Sequence, residues 1–446
     1  MSISYKVGTN KGRRRFWLDG EILNKIGMHC GVPYRRVNNP KPRPVIDLCD
    51  KSIGEIFGDV ERVQVEFCFG RIVISAHHED KKKANREKSF RENKAAGKLT
   101  HASLFTGGGI STDAIHCALN EEGYIKAGAK WICEAELEYI EAAHQNCLAV
   151  TDETVIIQGM VEEVEPRYFT PVDILSFSMP CAGFSKAGTV KHKQTAEEHS
   201  GTALFGVVNA VRFSNPAVII SENVIEAKNS SIYALLNSEL RRLGYKVFEL
   251  ELSNQHTGTI ERRRRYWLVA ISENLAPEAI DLPAVQLNQD PIKSILQEVP
   301  ESSWADNQYL KDKQVRDKAA GKGFAKRQLL TGDETKVGTI GRHYAKRRST
   351  EPFIVRADGK ERLLTPIEHA VVKSIPTRLV PETGITRAHQ ILGQSVDYLQ
   401  PFKLMQMIMC FNFAQLMKQH PRVLFHGMRS MGGIFMWACY NVGSLN

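Results

Sequence analysis

The chain has 446 residues, room for two or three domains with cores of their own. Its balance of 42% hydrophobic and 24% charged residues excludes a collagen-like, coiled-coil or wholly disordered chain. The absence of an apolar run of membrane-spanning length excludes a spanning protein, and the net charge of +9 suits a polyanionic partner or solvated basic faces equally.

The charge is unevenly spread. Residues 1–100 carry +9, residues 101–270 carry −6, and 311–348 carry +8. An acidic middle between basic flanks fits a catalytic core with separate polyanion-contacting parts, although solvated faces would give the same totals. The start, Met1–Lys6, lacks the apolar core of a secretion signal. The nine cysteines are scattered and form no CxxC pair, so a reduced cytoplasmic setting and no metal site are expected.

In chain order, residues 1–78 read as a basic, β-rich accessory unit. Within it, Arg62–Ser75 alternates apolar residues about a turn at Gly70 and predicts a hairpin. Residues 79–99 are charged, with almost no large apolar side chain, and read as a linker, either helical in part or disordered. Strands and helices then alternate. Strands are expected at 102–105, 131–134, 155–157, 173–177 and 217–220, with helices from 110, over 136–146 and over 203–213. This order means an α/β fold with a mostly parallel sheet covered by helices.

Three places at strand ends carry chemistry, where open α/β sheets gather their ligands. Phe105-Thr106-Gly107-Gly108-Gly109 joins a strand to a helix, and Glu134 ends the next strand. Glycines there admit a ligand against the backbone, and the acid stands where a ribose-binding carboxylate belongs. The spacing is not GxGxxG, which favours an adenosyl cofactor over a nicotinamide dinucleotide. Cys181 follows a strand within Pro180-Cys181-Ala182-Gly183-Phe184-Ser185 and is either a nucleophile or a buried structural cysteine. Glu222-Asn223-Val224 ends the following strand, so a thiolate and a carboxylic acid can share one pocket. Farther on, Arg262 to Arg265 lead into a strand, with Arg263 and Arg265 on one face.

Taken together these motifs resemble the cytosine-5 DNA methyltransferases. FxGxG appears as Phe105–Gly109, PCxxFS as Pro180–Ser185, ENV as Glu222–Val224 and RxR as Arg263 and Arg265. RxLTxxE appears as Arg362–Glu368 and the final LGxSV as Leu392–Val396, so the resemblance covers about 101–412 in family order. Some positions depart from the pattern: Ser103, Met160 and Gln394 replace Asp, Asp and Asn, and Ala182 and Glu261 each replace Gln.

The resemblance implies a Rossmann-like methyltransferase sheet over 101–270, completed by 388–420. It also implies a target-recognition domain over 271–387 and leaves a tail, 421–446, without a function. It implies S-adenosylmethionine as cofactor, double-stranded DNA as partner, and methyl transfer to cytosine C5 by base flipping. Cys181, Glu222, Arg263, Asn223 and Arg265 are the expected catalytic residues, with Arg263 and Asn223 fixing the base and its loop. Phe105, Gly107, Gly109, Glu134, Met160, Pro180, Gln394, Ser395 and Val396 are expected around the cofactor. Ser185, Thr339, Ile340 and Arg342 are expected to face DNA. A monomer is expected, either solitary or paired in function with a restriction endonuclease. A tRNA substrate and a non-catalytic DNA-binding relative are the alternatives, and the second would have lost Cys181 or Glu222.

Overall fold

Short apolar runs covered on both faces build the centre of the molecule, as parallel strands under helices require. The computed structural model describes residues 2–10, 12–19, 45–48, 57, 60–68, 71–180, 190–321 and 327–419, with backbone alone at several strand ends and across 190–200 and 411–419. The central strands are β1 (His101–Leu104), β2 (Trp131–Glu134), β3 (Val155–Gln158), β4 (Ile174–Phe177), β5 (Val218–Asn223), β6 (Tyr245–Leu252) and β7 (Arg265–Ser272). They form one seven-stranded sheet in the order β3-β2-β1-β4-β5-β7-β6. Strand β7 runs antiparallel to β5 and β6, and the other pairs are parallel. Strand order reverses between β1 and β4, which places the ligand crevice beyond their carboxyl ends. Register sets Phe177 beside Leu104 on one side and Ser221 on the other.

Helix α1 spans His78–Ala95 and occupies the stretch expected to be a linker. The helix is fastened to the sheet by polar groups rather than by an apolar stripe. Arg86 is buried, and it donates to Ser272 Oγ at 2.9 Å and to the carbonyls of Leu243 and Gly244 at 2.9 and 3.0 Å. The buried Glu87 accepts from Ser272 and Asn274, and Phe90 enters the core beside Leu99 and Ile115. Ahead of α1, Arg62–Cys68 pairs antiparallel with Arg71–Ala76 and with Ser2–Lys6, as the hairpin reading required. This unit has a small core of Phe16, Leu18, Val63, Val65 and Phe67.

Beyond β1 come α2 (Ile110–Glu121), α3 (Leu137–Asn146), α4 (Val190–Ser214) and α5 (Ser231–Arg242). After β7 the chain forms a second body with short strands at Gln328–Leu330, Pro352–Val355 and Glu361–Arg362. Its core contains Ile292, Leu330, Val337, Ile340, Tyr344 and Ile354. The RxLTxxE residues now have a structural reason. Arg362 donates to both oxygens of Glu368 at 2.7 and 2.9 Å, and Thr365 and Glu368 form a capping box on α6 (Pro366–Val372). The chain returns to the first body through α7 (Ile385–Gln394) and α8 (Leu399–Gln419), where Leu404, Met405 and Ile408 pack with Ile115 and Leu119 of α2. Among the described residues no helix is long and apolar enough to cross a membrane. The tail 421–446 lies outside the described residues.

Candidate active site

The turn after β1 is shaped by three residues in the left-handed region: Phe105 at φ 53°, Gly107 at 55° and Gly109 at 78°. Phe105 holds there despite its side chain, a conformation that costs about 1–3 kcal/mol and clusters at functional sites. A Cβ on Gly107 would meet no atom within 4 Å, so this turn faces open space, whereas one on Gly109 would lie 2.9 Å from Cys147 Cβ. Beneath the turn Ser103 is buried and its hydroxyl bonds Thr106 Oγ1 at 2.6 Å and Thr112 Oγ1 at 3.0 Å. The serine that replaces the family aspartate therefore ties the turn to the first turn of α2.

Glu134 reaches across from β2. Its carboxylate accepts the amides of Gly107 at 2.6 Å, Ala135 at 2.8 Å and Glu136 at 3.2 Å. Burial raises its pKa, a rise that those three amides reduce without cancelling. A carboxylate offers about four acceptor positions, which leaves one for a ligand hydroxyl. Serines and threonines of the α2 start, Ser111 and Thr112, line the same cavity as Phe105, Thr106, Ser178, Glu222 and Val396. An open glycine turn, a helix N-terminus and an acid with spare acceptor capacity are a chemically suitable cradle for the amino-acid and ribose parts of S-adenosylmethionine.

At the end of β5, Glu222 is 8% exposed and both its oxygens are engaged. Ser178 Oγ donates to Oε2 at 2.6 Å, and Arg265 Nε stands 3.0 Å from Oε1. Asn223 turns inward: its Nδ2 donates to Met179 O at 3.0 Å and to Tyr233 Oη at 3.2 Å. It thus fastens the segment that leads to Pro180, the last described residue before Cys181. Cys181, Ala182 and Ser185 lie outside the described residues.

The structure separates the two arginines. Arg265 meets Glu222, but Arg263 is 5% exposed and points to Ile340 O at 3.4 Å and Glu261 at 3.7 Å. Arg263 thus lies between the two bodies, its Nε without a hydrogen-bond partner among the described residues. Ile340 is wholly buried, and its amide donates to Glu261 Oε1 at 2.8 Å. Thr339 is exposed and donates to Arg262 O at 2.8 Å, and Arg342 reaches Glu136 at 3.3 Å. Of the expected cofactor residues, Val396 lines the cavity and Ser395 caps α7 through Leu392 O at 2.6 Å. Gln394 accepts from the Tyr139 hydroxyl, and Met160 is 42% exposed beyond β3.

Sequence reasoning missed Ser178 and Trp267, both of which line the cavity. Ser178 had a signal, a hydroxyl directly after a buried strand. Trp267 had none, because a tryptophan within an apolar strand reads as core.

This sheet order, with a glycine turn after its first strand and an acid ending its second, defines a Rossmann-like methyltransferase fold. The profile of the C-5 cytosine-specific DNA methylases matches residues 99–408, and the chain belongs to that family. It is 24% identical over 248 residues to the type II methyltransferase M1.ScrFI of Lactococcus lactis subsp. cremoris, a match covering 53% of this chain and 62% of that protein. To the type II methyltransferase M.BsuFI of Bacillus subtilis it is 25% identical, covering 69% of this chain and 72% of that one. Among solved structures, the S. pombe Dnmt2 methyltransferase superposes with a TM-score of 0.55 at 16% identity, over 72% of this chain and 99% of that one, a likeness of fold.

Proposed function

We propose that this protein methylates cytosine C5 in a specific duplex DNA sequence, with Cys181 as nucleophile and Glu222 as the acid. The observation that carries the reading is Glu222, gripped by Ser178 and Arg265 and lining one cavity with the Phe105–Gly109 turn. A base must first leave the stack to reach such a cavity. The Cys181 thiolate then adds to C6, and Glu222 holds or protonates N3, which draws off the charge that develops in the ring. Arg265 keeps the carboxylate aimed, and Asn223 steadies the Met179 carbonyl two residues before the nucleophile. S-adenosylmethionine, held by the Phe105–Gly109 turn, Glu134 and Val396, would supply an electrophilic methyl group. Loss of the C5 proton and departure of Cys181 close the cycle.

The second body, between β7 and α6, carries the +8 stretch of 311–348, which suits DNA phosphates, and the exposed Thr339 is a candidate to read a base edge. A restriction endonuclease of the same target is the fitting functional partner. The test is transfer of labelled methyl groups to unmethylated duplex DNA and to tRNA, wild type beside Cys181→Ala. Label recovered as 5-methylcytosine in DNA, and absent with the variant, is the expected result. Label confined to tRNA would overturn the DNA reading.

A further inference from the structure

Where the two bodies meet the returning helices, four charged side chains are sealed from water: Glu261, Arg263, Lys373 and Asp397. Buried charges persist only when paired and hydrogen-bonded. Two cations and two carboxylates balance the group, but the partners are not equally shared. Asp397 is satisfied by the hydroxyls of Thr257 and Thr259 at 2.7 and 2.9 Å. Glu261 spends Oε1 on the Ile340 amide, and its Oε2 has no hydrogen-bond partner among the described residues. Lys373 Nζ lies 3.9 Å from that bare oxygen, and Arg263 Nη1 lies 3.7 Å from Oε1. Lys373 Nζ in turn donates to Leu392 O at 2.6 Å and Ser395 O at 2.8 Å.

The pair therefore has two ends. Through Glu261 it holds the backbone of the Thr339–Ile340 turn in the recognition body. Through Lys373 it holds the carbonyls on either side of Gln394, just before Val396 enters the cavity. Glu261 stands where the family pattern has glutamine, so its carboxylate is a charge this chain must balance by its own means. We propose that Lys373, compensated by Glu261, is a positioning residue that sets the Ser395–Val396 wall of the cofactor pocket against the recognition body. The proposal rests on the methyltransferase reading above.

The test is a double-mutant cycle in the full chain: Glu261→Gln, Lys373→Gln and the two together. Binding of S-adenosylmethionine is read by calorimetry, with urea unfolding of each variant alongside. Each single change unbalances the buried group by one charge and is expected to weaken cofactor binding about tenfold or more, while the double variant, balanced again, returns to within about threefold of wild type. Should a single variant fail to fold, a double variant that folds and binds supports the pair equally. Strictly additive losses, folded single variants with wild-type affinity, or a double variant that cannot fold would each overturn it. A wild-type chain that binds no S-adenosylmethionine while the cycle still shows coupling in urea would instead overturn the methyltransferase reading, and the positioning role with it.

Discussion

Glu222 and His101 show how single groups are set by what lies beside them. Ser178 and Arg265 each take one oxygen of the Glu222 carboxylate, so removing Arg265 frees the acid to turn while leaving it buried. Arg265→Leu is expected to lower kcat/KM for methyl transfer by about 100-fold, the usual scale for losing one oriented charged group at a reacting centre. Arg263→Leu is expected to act on folding instead, costing about 3–5 kcal/mol in urea unfolding, because it breaks a buried charge group. The reverse pattern would restore Arg263 to the site. His101 is fully buried on β1, with Nε2 on Ser176 Oγ at 2.9 Å, and burial pushes its pKa down to about 3. The folded chain then refuses a proton that the unfolded chain accepts below about pH 6.5. Its contribution is complete above that pH and is lost as pH falls toward 3. Between pH 7 and 5 that is about 2 kcal/mol, which His101→Asn should remove from the acid-side loss of stability measured in urea.

Helix α7 is the element that joins the two halves of the site, and it does so through missing side chains. A Cβ on Gly108, in the turn after β1, would stand 2.5 Å from Ile391 Cγ2, and a Cβ on Gly393 would stand 2.2 Å from the Gly341 carbonyl oxygen. The helix is pressed between the Phe105–Gly109 turn on one side and the second body on the other. Gly393→Ala meets backbone, which cannot step aside, and is expected to cost at least the 1–3 kcal/mol typical of overpacking, about 3 kcal/mol or more. Gly108→Ala meets only a side chain, so Ile391→Ala added to it should recover part of the loss, whereas no neighbouring side chain can rescue Gly393→Ala. Unfolding midpoints of the three variants decide this. The glycines of the first turn were legible in the sequence because a strand-to-helix turn asks for them. Gly393 was legible only as a letter in a motif, since the backbone that crowds it is 52 residues away in the chain. The same divide runs through the elements. Four-residue apolar runs announced β1, β2 and β4, but α1 buries Arg86 and Glu87 against distant carbonyls and hydroxyls, and a pattern of apolar residues cannot report that.

At the scale of the molecule, α1 decides where the catalytic body begins. Asp80 joins it to the accessory unit, accepting the amides of Glu61 and Arg62 at 2.9 and 2.7 Å and the Arg62 guanidinium at 2.6 Å. That junction is partly exposed, and its ion pair is worth little in water. The other face is different in kind. Phe90 is 1% exposed, Arg86 lies over the Tyr245 ring at 3.8 Å, Asn93 holds Asp173 at 3.0 Å, and Lys94 reaches Met409 O of α8 at 2.7 Å. These contacts reach β6, α8 and the residue just before β4, so α1 works as part of the sheet's covering layer. A chain starting at residue 78 should therefore unfold close to the midpoint of the whole protein and keep its affinity for S-adenosylmethionine. One starting at residue 97 loses the burial of Phe90 together with several buried hydrogen bonds, and should be less stable by about 4 kcal/mol or more. Urea unfolding of the two shortened chains beside the full one separates the cases. Equal stability of all three would return residues 79–99 to the status of a linker, and an unstable chain from residue 78 would make the accessory unit part of the catalytic fold.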